Sequence, residues 1–279
     1  MPQGVPGWTT DDRGLAMSAR AWRAVTVAWP PVVFGVGLLA AWQLIVKVFD
    51  LKPYFLPAPT SVLDAFADNF ELIRRAAWVS GGNALVGLVI GTVVGVAMSF
   101  LLMRSRLLNE MVTPLAIALN AIPIVVLVAV FNNQFASTSE VPRRLMVTLI
   151  VYFVVLVNVA KGLRQVHATH LELLRSYAAS PYEVLRKARI PNAVPYLFTA
   201  LKIAAPGAVI TAFVAEYFGG NQNGLGARIT SNLSTSKNAV AWAYVFGAVA
   251  LGLAFYLFSI ALERLTITQR AASPQGEST

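Results

Sequence analysis

Six apolar stretches, each long enough or nearly long enough to cross a bilayer, constrain this chain most. They lie at residues 24–49, 78–103, 111–131, 142–160, 193–215 and 239–262. About 20 apolar residues in a helix cross the roughly 30 Å hydrocarbon core. Charged residues make up only 13% of the chain, against about 25% in soluble domains. The sequence therefore predicts an all-α membrane protein with six transmembrane helices.

The distribution of basic residues predicts the orientation of these helices. Six spans put both termini on one side, and thirteen Lys and Arg residues lie on the side of the termini against seven on the other. Because cytoplasmic loops are enriched in Lys and Arg, both termini should be cytoplasmic. The predicted parts are a cytoplasmic tail over 1–23, a transmembrane domain over 24–265 with a cytoplasmic loop at 161–192, and a disordered tail over 266–279.

Composition also narrows the function classes. The chain has no cysteine, so neither a disulfide framework nor a thiolate metal site is available. The net charge of +9 is explained by the loop bias rather than by nucleic-acid binding, since basic patches interleaved with aromatic residues are missing. The N-terminus is polar for more than twenty residues, which predicts no cleaved signal peptide.

The cytoplasmic loop contains a stretch, ELLRSYAASPYEVLRKARIP at residues 172–191, that is too charged to span a bilayer. The pattern predicts a first helix over 170–179. A second helix should begin with a capping box at Ser180 and Glu183 and end at Ile190 and Pro191. One interpretation is a solvated loop that happens to be helical. The other is a docking surface, because the stretch carries unpaired apolar side chains, which are Leu173, Leu174 and Tyr177.

This stretch resembles the cytoplasmic loop of ABC-importer permeases, whose pattern is E-A-A, three residues, G, nine residues, then I-x-L-P. Here the same spacing joins Glu172-Leu173-Leu174, Ala178 and Ala188-Arg189-Ile190-Pro191. Glu172 and Pro191 are kept, whereas Leu replaces two Ala, Ala replaces Gly, and Ala replaces the first Ile. FLPAPTSVLDAF, ALNAIP and AEYFGGNQNGLGARI resemble the group that includes nitrate, sulfonate, taurine and pyrimidine-precursor permeases.

The resemblance implies a type I importer permease of the MetI-like fold in a bacterial plasma membrane. It would pair with a second permease subunit, receive a small polar or heterocyclic solute from an extracytoplasmic binding protein, and dock onto an ABC ATPase dimer. ATP and Mg²⁺ would bind the ATPase, so this chain would hold no cofactor and would not itself be an enzyme. The implied coupling residues are Glu172, Leu173, Leu174, Arg175, Tyr177, Ala178, Ser180 and Pro191.

Ala178 stands where the family pattern has glycine, and this leaves two alternatives. Either the first helix runs through residue 178 and breaks at Ser180 and Pro181, or the turn at 178 is strained. The capping box supplies a break two residues later, so we expect the first. Ala178 would then be a small contact residue, and Ala178→Gly would lower local helix stability by about 1 kcal/mol.

Polar residues at membrane depth are the candidates for substrate contact, because their desolvation requires partners or water. Asn120 comes first, since the kink expected at Pro123 frees backbone carbonyls. Glu216 is a candidate as well, although it could instead be a gate residue paired with Arg228 or simply interfacial. The remaining candidates are Asn83, Asn132 and Asn133.

Three further patterns have plainer explanations. Residues 219–226, GGNQNGLG, have phosphate-loop glycine spacing but lack the Lys-[Ser/Thr] pair, which favours a tight turn and a short re-entrant helix near the outer gate. His167 and His170 could place two metal ligands on one face, but a solvated face is favoured and no metal site is predicted. Gly87, Gly91 and Gly95, the glycine stripe, indicate close helix packing, either within the subunit or at a dimer seam.

A secondary transporter that works without an ATPase is the main alternative function. It would need coupling-ion sites and usually an internal repeat, and the sequence shows neither a repeat nor paired charges at membrane depth. A membrane enzyme is disfavoured because neither H-E-x-x-H nor G-x-S-x-G occurs.

Overall fold

A computed structural model describes residues 12–136 and 138–271, and all regular structure in these ranges is helical. A π-helical turn, Leu185–Arg189, separates α8 from α9. The α-helices are α1 (Asp12–Val48), α2 (Pro59–Asp68), α3 (Phe70–Arg104), α4 (Arg106–Asn120), α5 (Ile124–Gln134), α6 (Val141–Arg164), α7 (Ala168–Ser176), α8 (Pro181–Val184), α9 (Ile190–Tyr217), α10 (Leu225–Ser234) and α11 (Asn238–Ala271).

The chain divides into two compact units, Met1–Leu63 and Asp64–Thr279. In the first unit, α1 is 37 residues long and contains the first predicted span. The backbone amide of Thr60 donates a hydrogen bond to the side-chain oxygen of Gln43, at 3.3 Å. α1 begins at Asp12 and therefore extends through residues 12–23 of the predicted cytoplasmic tail, whereas residues 1–11 lie outside the described residues. The cytoplasmic location of the tail stays a prediction.

In the second unit, α3, α6 and α9 form the core, and the glycine stripe of α3 packs against α6. A Cβ atom on Gly91 would lie 2.7 Å from the carbonyl oxygen of Thr148 and 2.8 Å from the Cβ of Val151. Gly87 and Gly95 meet Val147 and Val155 in the same way. This approach is possible only without side chains on that face of α3. The stripe therefore packs within the subunit, and the dimer-seam alternative is wrong.

Within the described residues, four helical segments are long and apolar enough to cross a membrane: Phe70–Arg104, Val141–Arg164, Pro181–Tyr217 and Asn238–Thr266. The third predicted span, 111–131, is not one helix, because it is divided into α4 of 15 residues and α5 of 11. Pro123 has no amide to donate and disfavours helical geometry at the residue before it. At 1.5 Å per residue, the two pieces measure only about 22 Å and about 16 Å.

The last helix, α11, continues past the predicted end of the sixth span and reaches Ala271. The expectation of a disordered tail from residue 266 is therefore wrong up to residue 271, and residues 272–279 lie outside the described residues. Near this end, Glu263 accepts hydrogen bonds from the ammonium group of Lys202 on α9, both at 3.0 Å. Lys202 lies within the predicted fifth span, and Glu263 lies one residue beyond the predicted end of the sixth.

Candidate functional site

The cytoplasmic loop predicted from the sequence presents an exposed helix, α7. None of its residues is buried. Leu173 is 54% exposed and Tyr177, just after the helix, is 76% exposed, whereas Leu174 is half-buried. Glu172 and Arg175 are exposed as well. Beside α7 an open cleft is lined by His170, Leu173, Leu174, Lys187, Ala188, Pro191 and Asn192. Of the predicted coupling residues, Leu173, Leu174 and Pro191 thus line this cleft. The coupling role of the set stays a prediction.

Ala178 does not continue this helix. α7 ends at Ser176, and Ala178 has φ +50°, in the left-handed region. Its amide donates to the carbonyl of Arg175, and the Ala179 amide donates to the carbonyl of Leu174, each at 2.9 Å. This pair of hydrogen bonds is a Schellman motif, in which glycine is the preferred residue at the left-handed position. The expectation of a helix running through residue 178 is therefore wrong, and the strained-turn alternative is correct.

This geometry reverses the expected effect of Ala178→Gly. Relieving the left-handed alanine should stabilise the turn by about 1 kcal/mol, so backbone amides in residues 174–180 should exchange hydrogen more slowly. Ala179→Gly is the matched control, because residue 179 is not left-handed and glycine there only adds flexibility in the unfolded chain. Hydrogen–deuterium exchange of the purified protein measures both variants. Faster exchange in Ala178→Gly than in the parent protein would contradict this account.

The second half of the loop begins as predicted, with a capping box. The Glu183 amide donates to Oγ of Ser180 at 3.3 Å, and the Ser180 amide donates to Oε2 of Glu183 at 2.9 Å. The helical path does not stop at Ile190 and Pro191, however, since α9 begins at Ile190. Pro191 has no amide to donate, and the irregular π-helical turn directly before α9 allows the helical path to continue through it. The loop therefore passes through the π-helical turn directly into a membrane span.

Asn192 anchors the start of α9 to the end of α6. Its side-chain amide donates to the carbonyls of Gly162 at 2.7 Å and Gln165 at 3.1 Å. At Gly162 a Cβ atom would lie 2.9 Å from the Cα of Ala193. The two spans that flank the loop are consequently in direct contact where the loop leaves them. A force on the loop would be transmitted to α6 and α9 together.

A network of polar side chains lies at the other end of α6, centred on Glu140. Its carboxylate accepts hydrogen bonds from the side-chain amides of Asn83 at 2.8 Å, Asn221 at 3.2 Å and Asn223 at 3.0 Å, and from the guanidinium of Arg143 at 2.7 Å. Burial on its own would raise the pKa of Glu140. The hydrogen bonds from Asn223, Asn83 and Arg143 and the positive charge of Arg143 outweigh burial, so the pKa of Glu140 lies below its ordinary value.

Arg143 is the buried cation of this network, with only 1% of its surface exposed. Besides Glu140, it donates to the side-chain oxygen of Asn223 at 3.0 Å and to the backbone carbonyl of Asn221. Neither Glu140 nor Arg143 was singled out by the sequence analysis. Their spacing of three residues at the start of a span was the available signal, since such pairs lie on one face of a helix.

Glu216 is fully buried and is the acceptor in a second group of hydrogen bonds near this network. It accepts hydrogen bonds from Oγ of Ser80 at 2.7 Å and from the amide of Gly226 at 3.1 Å. A Cβ atom on Gly224 would overlap its carboxylate. The alternative of a gate residue paired with Arg228 is wrong, because Arg228 is exposed and the donors are Ser80 on α3 and the amide of Gly226 at the start of α10. A helix N-terminus attracts anions, and here the chain's own carboxylate takes the place a phosphate would need.

The remaining substrate-contact candidates are placed as follows. Asn83 is buried between Glu140 and Arg144, from which it accepts at 3.0 Å. Asn132 lies beside Gly219, with its side-chain nitrogen buried and without a partner among the described residues. Asn120 ends α4, and its side chain is outside the described part of the structure, while Asn133 is exposed. Contact of any of them with substrate stays a prediction.

The two histidines lie on an exposed surface with ring centres 6.1 Å apart. A ring nitrogen of His167 lies 3.1 Å from the hydroxyl of Thr169. Among the described residues, no group of three His, Cys, Asp or Glu side chains is close enough to hold a metal ion. The geometry therefore offers no support for a metal site at this pair.

Comparison with known proteins gives consistent matches. The family described as "Binding-protein-dependent transport system inner membrane component" matches residues 87–267. A probable ABC transporter permease protein of Haemophilus influenzae is 29% identical over 235 residues, which are 83% of this chain and 93% of that protein. The formylaminopyrimidine transport permease protein ThiX of Halalkalibacterium halodurans is 28% identical over 205 residues, covering 71% and 79% of the two chains.

The fold has a counterpart among solved structures. A structure of the MetNI methionine ABC transporter, described as inward facing, superposes with a TM-score of 0.59. The match covers 71% of this chain and 97% of that chain at 19% sequence identity. At this level of identity the likeness concerns the arrangement of the helices, which is that of a type I importer permease.

Proposed function

Because this chain belongs to the family of binding-protein-dependent transport system inner membrane components, we propose that it couples ATP hydrolysis in a partner to solute movement through α7 and the residues around it. The chain is the membrane-embedded permease subunit of an ABC importer for a small solute. A separate ATPase hydrolyses the ATP, and a binding protein supplies the solute. This membership sets aside the alternative of a secondary transporter.

The observation that carries the coupling proposal is the exposed apolar centre of α7 on a loop anchored to two spans. Leu173 and Tyr177 leave most of their surface in solvent, which favours a protein partner that covers them. Through Asn192 and the π-helical turn, the loop is continuous with α6 and α9. Closure of an ATPase dimer against α7 would therefore move both spans. Glu172 and Arg175 would supply the polar contacts at the rim of this interface.

The proposed orientation has both termini and residues 161–192 in the cytoplasm, with residues 219–226 outside. The excess of Lys and Arg on the side of the loop supports it. α4 and α5 would together form the third of six spans, broken at Pro123, where irregular backbone is tolerated if it lines a cavity. ATP and Mg²⁺ would bind the ATPase and leave this chain without a cofactor.

The proposed complex contains a second permease subunit, either the same chain or a close relative, so that two copies enclose the pathway. The proposed cargo is a small polar or heterocyclic solute. The similarity to a permease named for formylaminopyrimidine, a small heterocycle, supports that class. Much of the selectivity would come from the binding protein that delivers the solute.

Reconstitution in liposomes tests the proposed function and orientation together. The chain is co-expressed with its cognate ATPase and binding protein, and Ser180→Cys marks the loop, since no other cysteine is present. Uptake should require ATP on the side where residue 180 reacts with an impermeant maleimide, and binding protein on the opposite side. Transport by the isolated chain without ATP, or binding protein acting on the loop side, would overturn the proposal.

A further inference from the structure

Residues 219–226, here called the bridge segment, join α9 to α10 and are fastened to two other helices. We propose that the bridge segment is a polar latch that closes the outer end of the transport pathway, and that Glu140 and Arg143 are positioning residues that hold it shut. This inference rests on the proposed function, because a latch has a role only if the outer end opens during transport.

The fastening is specific, since it uses both backbone and side chains of the bridge segment. Asn221 and Asn223 turn their side chains to Glu140, and Arg143 donates to the Asn221 carbonyl and the Asn223 side chain. Gln222 between them is exposed and bonds only within the segment, to the carbonyl of Gly220. Asn221 and Asn223 thus face inward and Gln222 faces outward. The inward residues bond to the ionised Glu140 and Arg143, and hydrogen bonds to ionised groups are stronger than those between neutral groups.

The end of the bridge segment next to α10 is held by a second set of hydrogen bonds, which involve Ser80 and Glu216. The amide of Leu225 donates to Oγ of Ser80 on α3 at 2.9 Å, and the same hydroxyl donates to Glu216. Gly224 is pressed against that carboxylate, so no larger residue fits there. Two separate attachments therefore hold the segment, one at the start of α6 and one on α3.

These attachments are of a kind that can open and close reversibly. Glu140, Asn221 and Asn223 are partly exposed, so on opening they exchange their hydrogen bonds for bonds to water, and the net loss is small compared with that of an apolar interface. The close glycine contact of α3 with α6 has no such substitute, because apolar contacts exposed to a water-filled pathway gain nothing in return. Opening should thus occur at the bridge segment rather than between α3 and α6.

A pair of glycines provides the backbone freedom that such movement needs. Gly219 has φ +141° and Gly220 has φ +82°, values that L side chains rarely adopt. They lie where the segment leaves α9, so a change of their angles swings the segment while α9 stays in place. Hinges of moving loops are commonly a few residues at the ends of regular elements.

The latch has a thermodynamic consequence for the complete transporter. If closed and open states exchange, weakening the hydrogen bonds of the closed state raises the open population without any ligand. The binding protein then needs to supply less free energy to open the latch when it docks on the outer face. A weakened latch should therefore permit ATP hydrolysis in its absence, while the intact latch keeps hydrolysis dependent on it.

Cysteine accessibility in the assembled complex measures the opening directly. Ala227→Cys is the reporter, because Ala227 is only 1% exposed, lies in the first turn of α10, and the chain has no other cysteine. An impermeant maleimide is added from outside to proteoliposomes without binding protein. Glu140→Gln should raise the labelling rate about tenfold, as expected for loss of a charge-assisted hydrogen bond, and should raise ATP hydrolysis without binding protein.

Asn223→Ala is the second variant, since it removes the two hydrogen bonds of a partly exposed side chain, to Glu140 and from Arg143, and leaves both charges in place. It should raise both rates by a smaller factor. Glu71→Gln is the matched control. Glu71 is an exposed carboxylate near the same end of α3 that accepts hydrogen bonds from Arg74 and Arg75 at 2.9 Å, and it does not bond to the bridge segment. Its substitution should change neither rate.

The outcomes separate the latch from the proposed function. If the parent complex takes up solute but neither Glu140→Gln nor Asn223→Ala differs from Glu71→Gln in labelling, the latch proposal is overturned while the function stands. Faster labelling with hydrolysis still fully dependent on binding protein would also overturn it, because opening would not be coupled to the ATPase. Failure of the parent complex to transport with ATP would contradict the proposed function itself.

Discussion

Replacing Gly91 by alanine should lower the stability of the protein by about 2 kcal/mol, although alanine favours helices over glycine by about 1 kcal/mol. The added methyl group would lie 2.7 Å from the carbonyl oxygen of Thr148 and 2.8 Å from the Cβ of Val151. Neither atom can move without displacing the backbone of α6, so α3 must shift away from it. The clash therefore exceeds the gain in helix propensity, and Gly91→Leu should prevent folding.

Thermal stability in detergent measures this effect, through the fraction of protein that stays monodisperse after heating. A loss of about 2 kcal/mol corresponds to a fall in Tm of roughly 4–8 °C for a chain of this size. Gly82→Ala is the matched control on the same helix, because no atom lies within 4 Å of the added Cβ. Equal Tm values for the two variants would show that the contact between α3 and α6 is looser than described.

The glycine stripe illustrates what a sequence alone can predict. Spacing of four places Gly87, Gly91 and Gly95 on one face of a helix, which requires some backbone to approach that face. The spacing does not identify which helix approaches, because any close partner satisfies it. The all-helical fold followed from the sequence in the same way, since apolar length and charge depletion leave few alternatives. The choice of α6 as partner depended on the complete packing of the chain.

The errors around Glu140 and Glu216 share one physical origin, which is that their hydrogen-bond partners are distant in sequence. For Glu216 one alternative was a pairing with Arg228, a basic residue near it in the chain, whereas its donors are Ser80 and a backbone amide at the start of α10. A buried carboxylate takes its hydrogen bonds from whichever donors the fold brings next to it, and no local sequence pattern reveals those donors. Glu140 and Arg143 were overlooked for the same reason, because their other partners lie about eighty residues away.

The errors in the coupling loop arose instead from local rules that permit two outcomes. Alanine rarely adopts positive φ, yet two hydrogen bonds of the Schellman motif hold Ala178 there. Proline ends one helix as readily as it begins the next, and Pro191 begins α9. The family spacing of the loop was a better guide than residue propensity, since it places a left-handed residue at position 178.

The largest effect on activity is expected from Leu173→Asp. Leu173 is 54% exposed in the isolated chain, so aspartate should not disturb folding or membrane insertion. In the complex the same position would lie against the ATPase, where an unpaired carboxylate must lose its water. Central apolar contacts of an interface contribute 2 kcal/mol or more, which weakens binding about 30-fold when they are lost. The variant should therefore lose most of its co-purifying ATPase and all ATP-driven uptake.

Leu233→Asp is the matched control for that result. Leu233 is an exposed leucine on the short helix α10, 41% exposed, and the same substitution adds the same charge far from the coupling loop. Pull-down of the ATPase and size-exclusion profiles of both variants separate loss of docking from loss of folding. ATPase retained by Leu173→Asp at the level of Leu233→Asp would show that the exposed face of α7 is not the docking surface.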